Sequence, residues 1–308
     1  MIKTVVSTAL PIDERLLIRK NIWNHGTGTK RLCVVTGTHG DELEGQYICF
    51  RLNEIMRERL DKLNGTVEIY PALNPLGIDT ITRGIPTFDL DMNRIFPGNP
   101  DGSMAENAAY RILQDLKGAD MVLDIHSSNI FLREVPQARI NIKTAKQLVP
   151  YARLLNIDFI WVHEAATVLE ATLAHSLNSI GTPTVVVEMG VGMRINHQMG
   201  DRLVTGILNL MHEMELWEEE IDPGLISHPI LSMGNEVSFI NANASGVFLT
   251  DVKNNTLVDE GEEIGRIVSS LTGEVLEPIL APVHGFLFTI RAYPVVYQGS
   301  LLARIHHL

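Results

Sequence analysis

The chain has 308 residues, 45% of them hydrophobic and 20% charged, which is the composition of an ordinary globular protein. Its net charge of −12, without any cluster of Lys and Arg, argues against nucleic acid and anionic membranes as partners. No run of 18 apolar residues and no long apolar segment after Met1 occurs, so neither a membrane span nor a secretory signal is expected. The two cysteines, Cys33 and Cys49, are expected to be reduced and buried in a cytoplasmic protein.

Residues 1–222 alternate strand-like and helix-like segments. Short apolar runs rich in β-branched residues predict strands, and apolar residues interleaved with charges predict helices. The stretch 73–103 is rich in Gly, Pro, Asp and Asn, and predicts a long ordered loop of the kind that usually serves function. The alternation predicts an α/β domain, a mixed and mostly parallel sheet with helices on both faces. The predicted strands are 31–37, 66–70, 121–126, 158–162 and 184–188, and the predicted helices are 42–60, 104–116 and 204–217.

The composition changes near Pro223, where helical periodicity ends and Gly, Pro and β-branched residues dominate. Two similar segments, 258–267 and 296–305, flank a Pro-containing turn, and the pattern resembles the two halves of a biotinyl/lipoyl-type barrel. Such carriers need a lysine at the central hairpin, and the stretch 271–278 has none. Residues 223–308 are therefore predicted to form a second, all-β barrel-like module with a structural role. His306 and His307, near the end, are predicted to be solvated.

Three predicted strands end on residues that zinc hydrolases use. His39 and Glu42 follow the first strand, His126 ends the strand at 121–126, and Glu188 ends the strand at 184–188. In open α/β sheets ligands bind beyond the carboxyl ends of the strands, so these side chains are expected to meet at one edge. Two His and one Glu form a set that holds catalytic zinc and leaves a position for water, beside which Glu188 would act as general base. The spacing His-x-x-Glu alone also arises by chance. The zinc-site interpretation is supported because His126 and Glu188 stand at the ends of two further predicted strands.

Five motifs follow one another in a fixed order along the chain, with Arg83 between the second and the third. They are Gly37-Thr38-His39-Gly40-Asp41-Glu42-Leu43-Glu44-Gly45, Asn74-Pro75, Asp91-Met92-Asn93-Arg94-Ile95-Phe96-Pro97-Gly98, Asp124-Ile125-His126 and Val187-Glu188-Met189-Gly190. In these motifs and their order the chain resembles the succinylglutamate desuccinylase/aspartoacylase family, which shares its fold with the zinc carboxypeptidases. One difference is that Asp41 stands where aspartoacylases usually have Asn, and another is a longer stretch between Arg83 and Asn93.

The resemblance implies roles for further residues. Asn93 and Arg94 would hold a substrate carboxylate, and Arg83 would polarise the scissile carbonyl. A guanidinium pairs with a carboxylate through two parallel hydrogen bonds, and a second one beside the metal stabilises an oxyanion. Asp91 would orient His39 by contacting the ring nitrogen that does not bind the metal. An isolated loop arginine is more often solvated, but Asn-Arg directly before Ile95-Phe96-Pro97 is harder to explain in that way.

Three other residues are weaker candidates for the site. Arg133 and Arg139 follow His126 and could contact an anion, although a surface role is favoured for each. His163 ends the strand at 158–162 and could line the pocket, although a satisfied polar pair explains it equally well.

The leading hypothesis is a zinc-dependent amidohydrolase, with one Zn²⁺ per chain, that deacylates a small N-acylated amino acid or related amide. A carboxypeptidase acting on peptides is the close alternative, and a silent ligand-binding protein is disfavoured because all four catalytic positions are filled. The sequence leaves the acyl group, the amine and a homo-oligomeric state open.

Overall fold

A large mixed sheet organises the fold in the computed structural model, which describes residues 1–86, 88–164, 170–234 and 236–308. The strands are β1 Ile2–Ala9, β2 Arg15–His25, β3 Arg31–Thr36, β4 Gly65–Tyr70, β5 Met121–Ser127, β6 Leu132–Asn141, β7 Phe159–His163, β8 Thr184–Gly190, β9 Ile230–Ser232, β10 Val237–Asn241, β11 Gly246–Leu249, β12 Thr256–Val258, β13 Glu263–Val268, β14 Val275–Leu280, β15 Gly285–Arg291, β16 Val295–Val296 and β17 Leu301–His307. The helices are α1 Glu44–Glu58, α2 Pro75–Thr80, α3 Met104–Leu116, α4 Ala145–Ala152, α5 Leu173–Ser179 and α6 His197–Glu213.

The centre of this sheet is parallel and its flanks are antiparallel. The strand order is β1-β2-β4-β3-β5-β8-β6-β15-β17-β10. The four central strands β4, β3, β5 and β8 run parallel to one another. The hairpin of β1 and β2 was not predicted, and neither was β6, which runs antiparallel to β8. The central strands are almost entirely buried, which explains their continuous apolar runs and their easy prediction.

Helices cover both faces of the sheet. On one face α1, α4 and α6 pack into a core that includes Ile48, Leu52 and Leu148. On the other face α3 and α5 pack with the β1–β2 hairpin. Gly45, in the first turn of α1, lies so close to Thr36 of β3 that an added Cβ would stand 1.8 Å from its Oγ1, and this close approach fixes α1 on the sheet. Among the described helices, none combines the length and apolar character that a bilayer crossing requires.

A second, antiparallel sheet in the order β14-β13-β11-β16 lies in the C-terminal part. Its core includes Ile264, Ile267 and Ile279 from this sheet and Leu287 from β15. The predicted α/β fold with helices on both faces and a C-terminal β structure is confirmed. The main sheet does not stop near residue 222, because β15 pairs with β6 and carries β17 and β10 with it. The division into units 1–222 and 223–308 remains a prediction.

Several element boundaries differ from those expected. The stretch 73–103, expected to be a loop, contains α2 and a 3₁₀ turn at Met92–Arg94; its residue 87 lies outside the described residues. Pro75 stands at the first position of α2, where a missing N–H costs nothing, and the Asn74 side chain accepts from Gly77 N at 2.9 Å. A prediction that takes every Pro and Gly as the sign of a loop therefore misses this helix. Likewise α6 begins at His197 because Asn196 caps it, seven residues before the predicted start.

His306 was expected to be solvated, and this expectation is wrong. Its side chain is buried in β17, which is hydrogen-bonded to β10 on one side and β15 on the other. Its ring lies 5.4 Å from that of Phe159. His307, the next residue, points to the other face of the strand and is exposed, as expected.

Candidate metal centre and active site

Two strand ends place the three predicted metal ligands together. His39 and Glu42 lie in the turn between β3 and α1, and His126 lies one residue before the end of β5. The helix α1, predicted from residue 42, begins at Glu44, and the turn before it brings His39 and Glu42 to one point. One possible ligand atom from each residue lies within 4.8 Å of the others, and all three side chains are buried.

The carboxylate of Glu42 stands between the two imidazole rings. Its Oε1 lies 2.7 Å from His39 Nδ1, and its Oε2 lies 2.9 Å from His126 Nδ1. Burial opposes ionisation of Glu42, but His126 and His39 outweigh it and lower its pKa to about 2. The two histidines show the opposite shift: burial would lower the pKa of each, yet the neighbouring carboxylates raise both. This buried cluster of one carboxylate and two nitrogens has the donor set of a zinc site.

Each histidine has a second carboxylate behind it. His39 Nε2 lies 3.0 Å from Asp91 Oδ1, and His126 Nε2 lies 3.1 Å from Asp124 Oδ1. Although burial opposes its ionisation, the hydrogen bond to His39 and the charge of Arg83 hold the pKa of Asp91 well below its ordinary value. Such pairs fix the ring orientation of metal-binding histidines and leave the other nitrogen to the cation. The contact of Asp91 with His39 was expected from the sequence, whereas that of Asp124 was missed, although Asp124 is two residues from His126 on one strand face.

Arg83 lies at the edge of the cluster. Its Nη1 donates to Glu42 Oε1 at 3.0 Å, and its Nη2 donates to Asp91 Oδ2 at 3.3 Å. With 41% of its side chain exposed, its guanidinium borders both the cluster and the cavity. From this position the guanidinium could stabilise the negative charge that develops on a substrate oxygen beside the metal position.

Asn93 and Arg94 line the same cavity from the 3₁₀ turn. Asn93 Oδ1 accepts from Leu173 N at 2.9 Å, which fixes the turn to the first residue of α5. Arg94 Nη1 donates to Asn93 O at 2.7 Å, and its side chain is otherwise exposed. Among the described residues, no carboxylate lies within salt-bridge distance of Arg94, so its charge is available to a ligand.

Glu188 reaches the cavity from β8, on the strand next to His126. The two residues are register partners in the parallel pair β5–β8, as expected from their positions at the strand ends. The Glu188 side chain is 17% exposed, and Arg139 Nη1 lies 3.4 Å from its Oε1. Burial raises the pKa of Glu188 above its ordinary value, against the attraction of Arg139 and His126.

The structure places the weaker candidates differently. Arg139 lines the cavity, which makes the surface role favoured for it wrong, whereas Arg133 is exposed and is absent from the cavity wall. His163 lines the cavity as well, and its Nδ1 lies 3.2 Å from Glu164 O. The residues 165–169 that follow lie outside the described residues.

The three predicted metal ligands, Glu188 and the arginines Arg83, Arg94 and Arg139 border one cavity of about 800 Å³. Its wall includes two charged residues that were not expected from the sequence, Glu134 of β6 and Arg304 of β17. The first carried no motif, and the second lies 116 positions after Glu188, so no sequence signal connected them with the site.

Comparisons with known proteins identify the family of the chain. The family model of the succinylglutamate desuccinylase/aspartoacylase catalytic domain matches residues 28–214, more than half of the chain. The chain belongs to this family. A curated relative from Halomonas elongata, N-alpha-acetyl-L-2,4-diaminobutyric acid deacetylase, is 26% identical over 307 residues, covering 94% of this chain and 85% of the relative.

Solved structures share the fold over nearly the whole chain. The product-bound ectoine utilization protein EutE (DoeB) from Ruegeria pomeroyi superposes with a TM-score of 0.81 at 20% identity, covering 98% of this chain and 93% of that one. A succinylglutamate desuccinylase/aspartoacylase from Rhodobacter sphaeroides gives a TM-score of 0.82 at 21% identity, covering 99% and 94%. At these identities the likeness establishes the fold, including its C-terminal β part.

Proposed function

We propose that this protein is a zinc-dependent amidohydrolase that removes the acyl group from a small N-acylated amino acid. The observation that carries the proposal is the buried cluster of His39, Glu42 and His126, whose ligand atoms lie within 4.8 Å of one another in the wall of a cavity. The family supports the same reaction class, since it is named for a desuccinylase and an acylase. The Halomonas elongata relative is named as a deacetylase of an N-acetylated diamino acid, which makes an N-acetyl amino acid the first substrate to test.

The residues present fit a zinc ion. His39 and His126 would each offer the nitrogen that faces Glu42, while Asp91 contacts the other nitrogen of His39 and Asp124 Oδ1 lies 3.1 Å from the other nitrogen of His126. Bound there, zinc would act as a Lewis acid and lower the pKa of a water molecule to about 7. One ion per chain follows, because the described residues contain a single group of this kind.

The remaining residues position the substrate. Arg94, whose guanidinium is available to a ligand, would pair with the carboxylate of the amino acid through two parallel hydrogen bonds, and Asn93 fixes the turn that carries it. In the cavity that Arg94 shares with His39 and Glu42, this pairing would leave the amide bond to face the metal ligands. Arg83, held by Glu42 and Asp91, would face the amide oxygen and stabilise the negative charge that develops on it.

Glu188 would move the proton. Its carboxylate takes a proton from the attacking water as the C–O bond forms, and passes that proton to the amine nitrogen as the C–N bond breaks. The products are the free acid of the acyl group and the amino acid. The environment suits both steps, because Arg139 favours the ionised form and burial favours the protonated form.

A substrate screen tests this proposal and its alternative. N-acetyl, N-succinyl and N-formyl amino acids, beginning with Nα-acetyl-L-2,4-diaminobutyrate, are offered to the zinc-loaded protein beside short peptides with a free C-terminus. We expect chelator-sensitive release of the acyl acid. Release of C-terminal residues from the peptides, without acyl release, would favour a carboxypeptidase and contradict the proposal.

A further inference from the structure

A bulge in β6 brings two charged residues onto the same face of the sheet. Residues five apart on a regular strand point to opposite faces, so Glu134 and Arg139 should not meet. Glu134 pairs with Gly190 and Gln137 pairs with Glu188, so three steps along β6 match only two along β8. The extra residue in this bulge reverses the alternation, and both side chains then face the cavity. Arg139 Nη2 donates to both oxygens of Glu134 at 2.8 Å.

The same face continues into the C-terminal strands. Thr289 of β15 is the register partner of Glu134 on one side and of Arg304 of β17 on the other. These three residues therefore form a row across β6, β15 and β17. Arg304 Nη1 donates to Glu134 Oε1, and Thr289 Oγ1 lies 3.4 Å from the same oxygen. Glu134 is 1% exposed, and its buried carboxylate accepts from both arginines and from Thr289.

The ring of Trp161 of β7 packs against the guanidinium groups of both Arg139 and Arg304. The Arg139 guanidinium lies 5.9 Å from the centre of its ring, and the Arg304 guanidinium lies 5.6 Å from it. Contacts of this kind favour a cation over an aromatic face. Glu134 and Trp161 thus hold Arg139 from two directions, and its Nη1 is directed at Glu188 Oε1.

We propose that Arg304, Glu134 and Arg139 form a positioning relay that holds the Glu188 carboxylate in the cavity, so that strand β17 of the C-terminal part is a working component of the active site. The relay rests on the proposed role of Glu188 as general base. Two arginines and two glutamates make it neutral overall, so the buried charges are compensated in pairs. The three positioning residues act through Glu188, and none of them is required to touch the substrate.

The relay predicts an effect on turnover and not on substrate binding. Arg304→Gln and Arg139→Gln should each lower kcat by about 10- to 100-fold, the usual effect of removing a partner that orients a functional group. KM should stay within about twofold, because ground-state binding is untouched. Zinc content should not change. The matched control is Arg291→Gln: Arg291 lies on β15 and donates to backbone oxygens of Tyr293, Leu301 and Val295, so kcat should stay at the wild-type value.

Combination with Glu188→Gln decides whether the relay acts through the base. In that background Arg139→Gln and Arg304→Gln should lower kcat by less than about twofold, since their target is already removed. A full additional loss would overturn the relay while leaving Glu188 as base. A fully active Glu188→Gln variant would overturn the base assignment and the relay together. A rise in KM with kcat unchanged would make Arg139 a substrate contact and also overturn the relay.

Two charge-conserving variants keep the test decisive if a Gln variant does not fold. Arg139→Lys and Arg304→Lys retain the cation but lose the planar fork. Thermal unfolding identifies the folded variants, and each Lys variant should lose less kcat than the corresponding Gln variant. Wild-type kcat in both Lys variants and in a folded Arg304→Gln variant would contradict the relay.

Discussion

Asp91 makes three contacts whose effects can be separated by substitution. Its carboxylate contacts His39 Nε2 at 3.0 Å and Arg83 Nη2 at 3.3 Å, and it accepts from Asn93 N at 2.8 Å at the start of the 3₁₀ turn. Asp91→Asn keeps an oxygen that can accept from Asn93 N but removes the charge. Asp91→Ala removes the charge and the cap together.

Both variants should lose zinc affinity, Asp91→Ala more strongly because the Asn oxygen can still accept from His39 Nε2, and they should differ in stability. Losing the carboxylate behind a metal-binding histidine costs about 10- to 100-fold in metal affinity. That range corresponds to about 1.4–2.7 kcal/mol of binding free energy. Asp91→Ala should in addition lower the free energy of unfolding of the metal-free protein by about 0.5–2 kcal/mol, the usual cost of a lost cap.

Competition with a chelator of known affinity measures the zinc Kd of each variant at fixed pH, and urea unfolding measures the stability of the metal-free proteins. Asp222→Asn is the matched control, because Asp222 also caps a 3₁₀ turn, accepting from Gly224 N at 2.8 Å, and belongs neither to the cluster nor to the cavity wall. Its zinc Kd should equal that of the wild type. An unchanged zinc Kd in Asp91→Asn would refute the argument that Asp91 orients a metal-binding His39.

Three further predictions concern the substrate, the thiols and the turn between the ligands. Arg94→Lys should lower kcat/KM by about ten- to a hundred-fold on a free-acid substrate, through the loss of the bidentate pair, and far less on its methyl ester; equal losses on both would show that Arg94 does not hold the carboxylate. Burial raises the pKa of Cys33 and raises that of Cys49 to about 12, so both thiols are protonated at pH 8. Both should therefore resist a thiol reagent until the protein is unfolded. Rapid labelling of the native protein would contradict this. Gly40→Ala would place a Cβ 1.9 Å from the Gly77 carbonyl carbon, so the ligand turn should shift and lose zinc with every ligand intact; full zinc content in the folded variant would show that the turn tolerates a side chain at this position.

The sequence was informative where one strand and one turn define a position. His39, Glu42, His126 and Glu188 stand at the ends of buried parallel strands, and the carboxyl ends of such strands meet at one edge of the sheet. Their convergence could therefore be expected without knowledge of the packing. Arg94 could be identified as a candidate because it follows Asn93 and directly precedes Ile95-Phe96-Pro97 in the predicted ordered loop.

The relay could not be predicted, because it depends on a bulge and on long-range strand pairing. Nothing in the sequence marks the extra residue between Glu134 and Gln137, and without it Glu134 and Arg139 would point to opposite faces. The pairing of β15 with β6, which brings Arg304 to the site, is also invisible in local periodicity. The error at His306 has the same origin, because a C-terminal segment was expected to be exposed and instead forms a strand between two others.

Zinc titration of the metal-free protein tests the central claim most directly. Protein stripped with a chelator is supplied with increasing zinc, and acyl release from the best N-acyl amino acid of the screen is followed with bound zinc. We expect activity to rise in proportion to zinc and to level off at about one equivalent per chain, as a single catalytic site requires. Full activity in the stripped protein, or zinc uptake without any acyl release, would contradict the account.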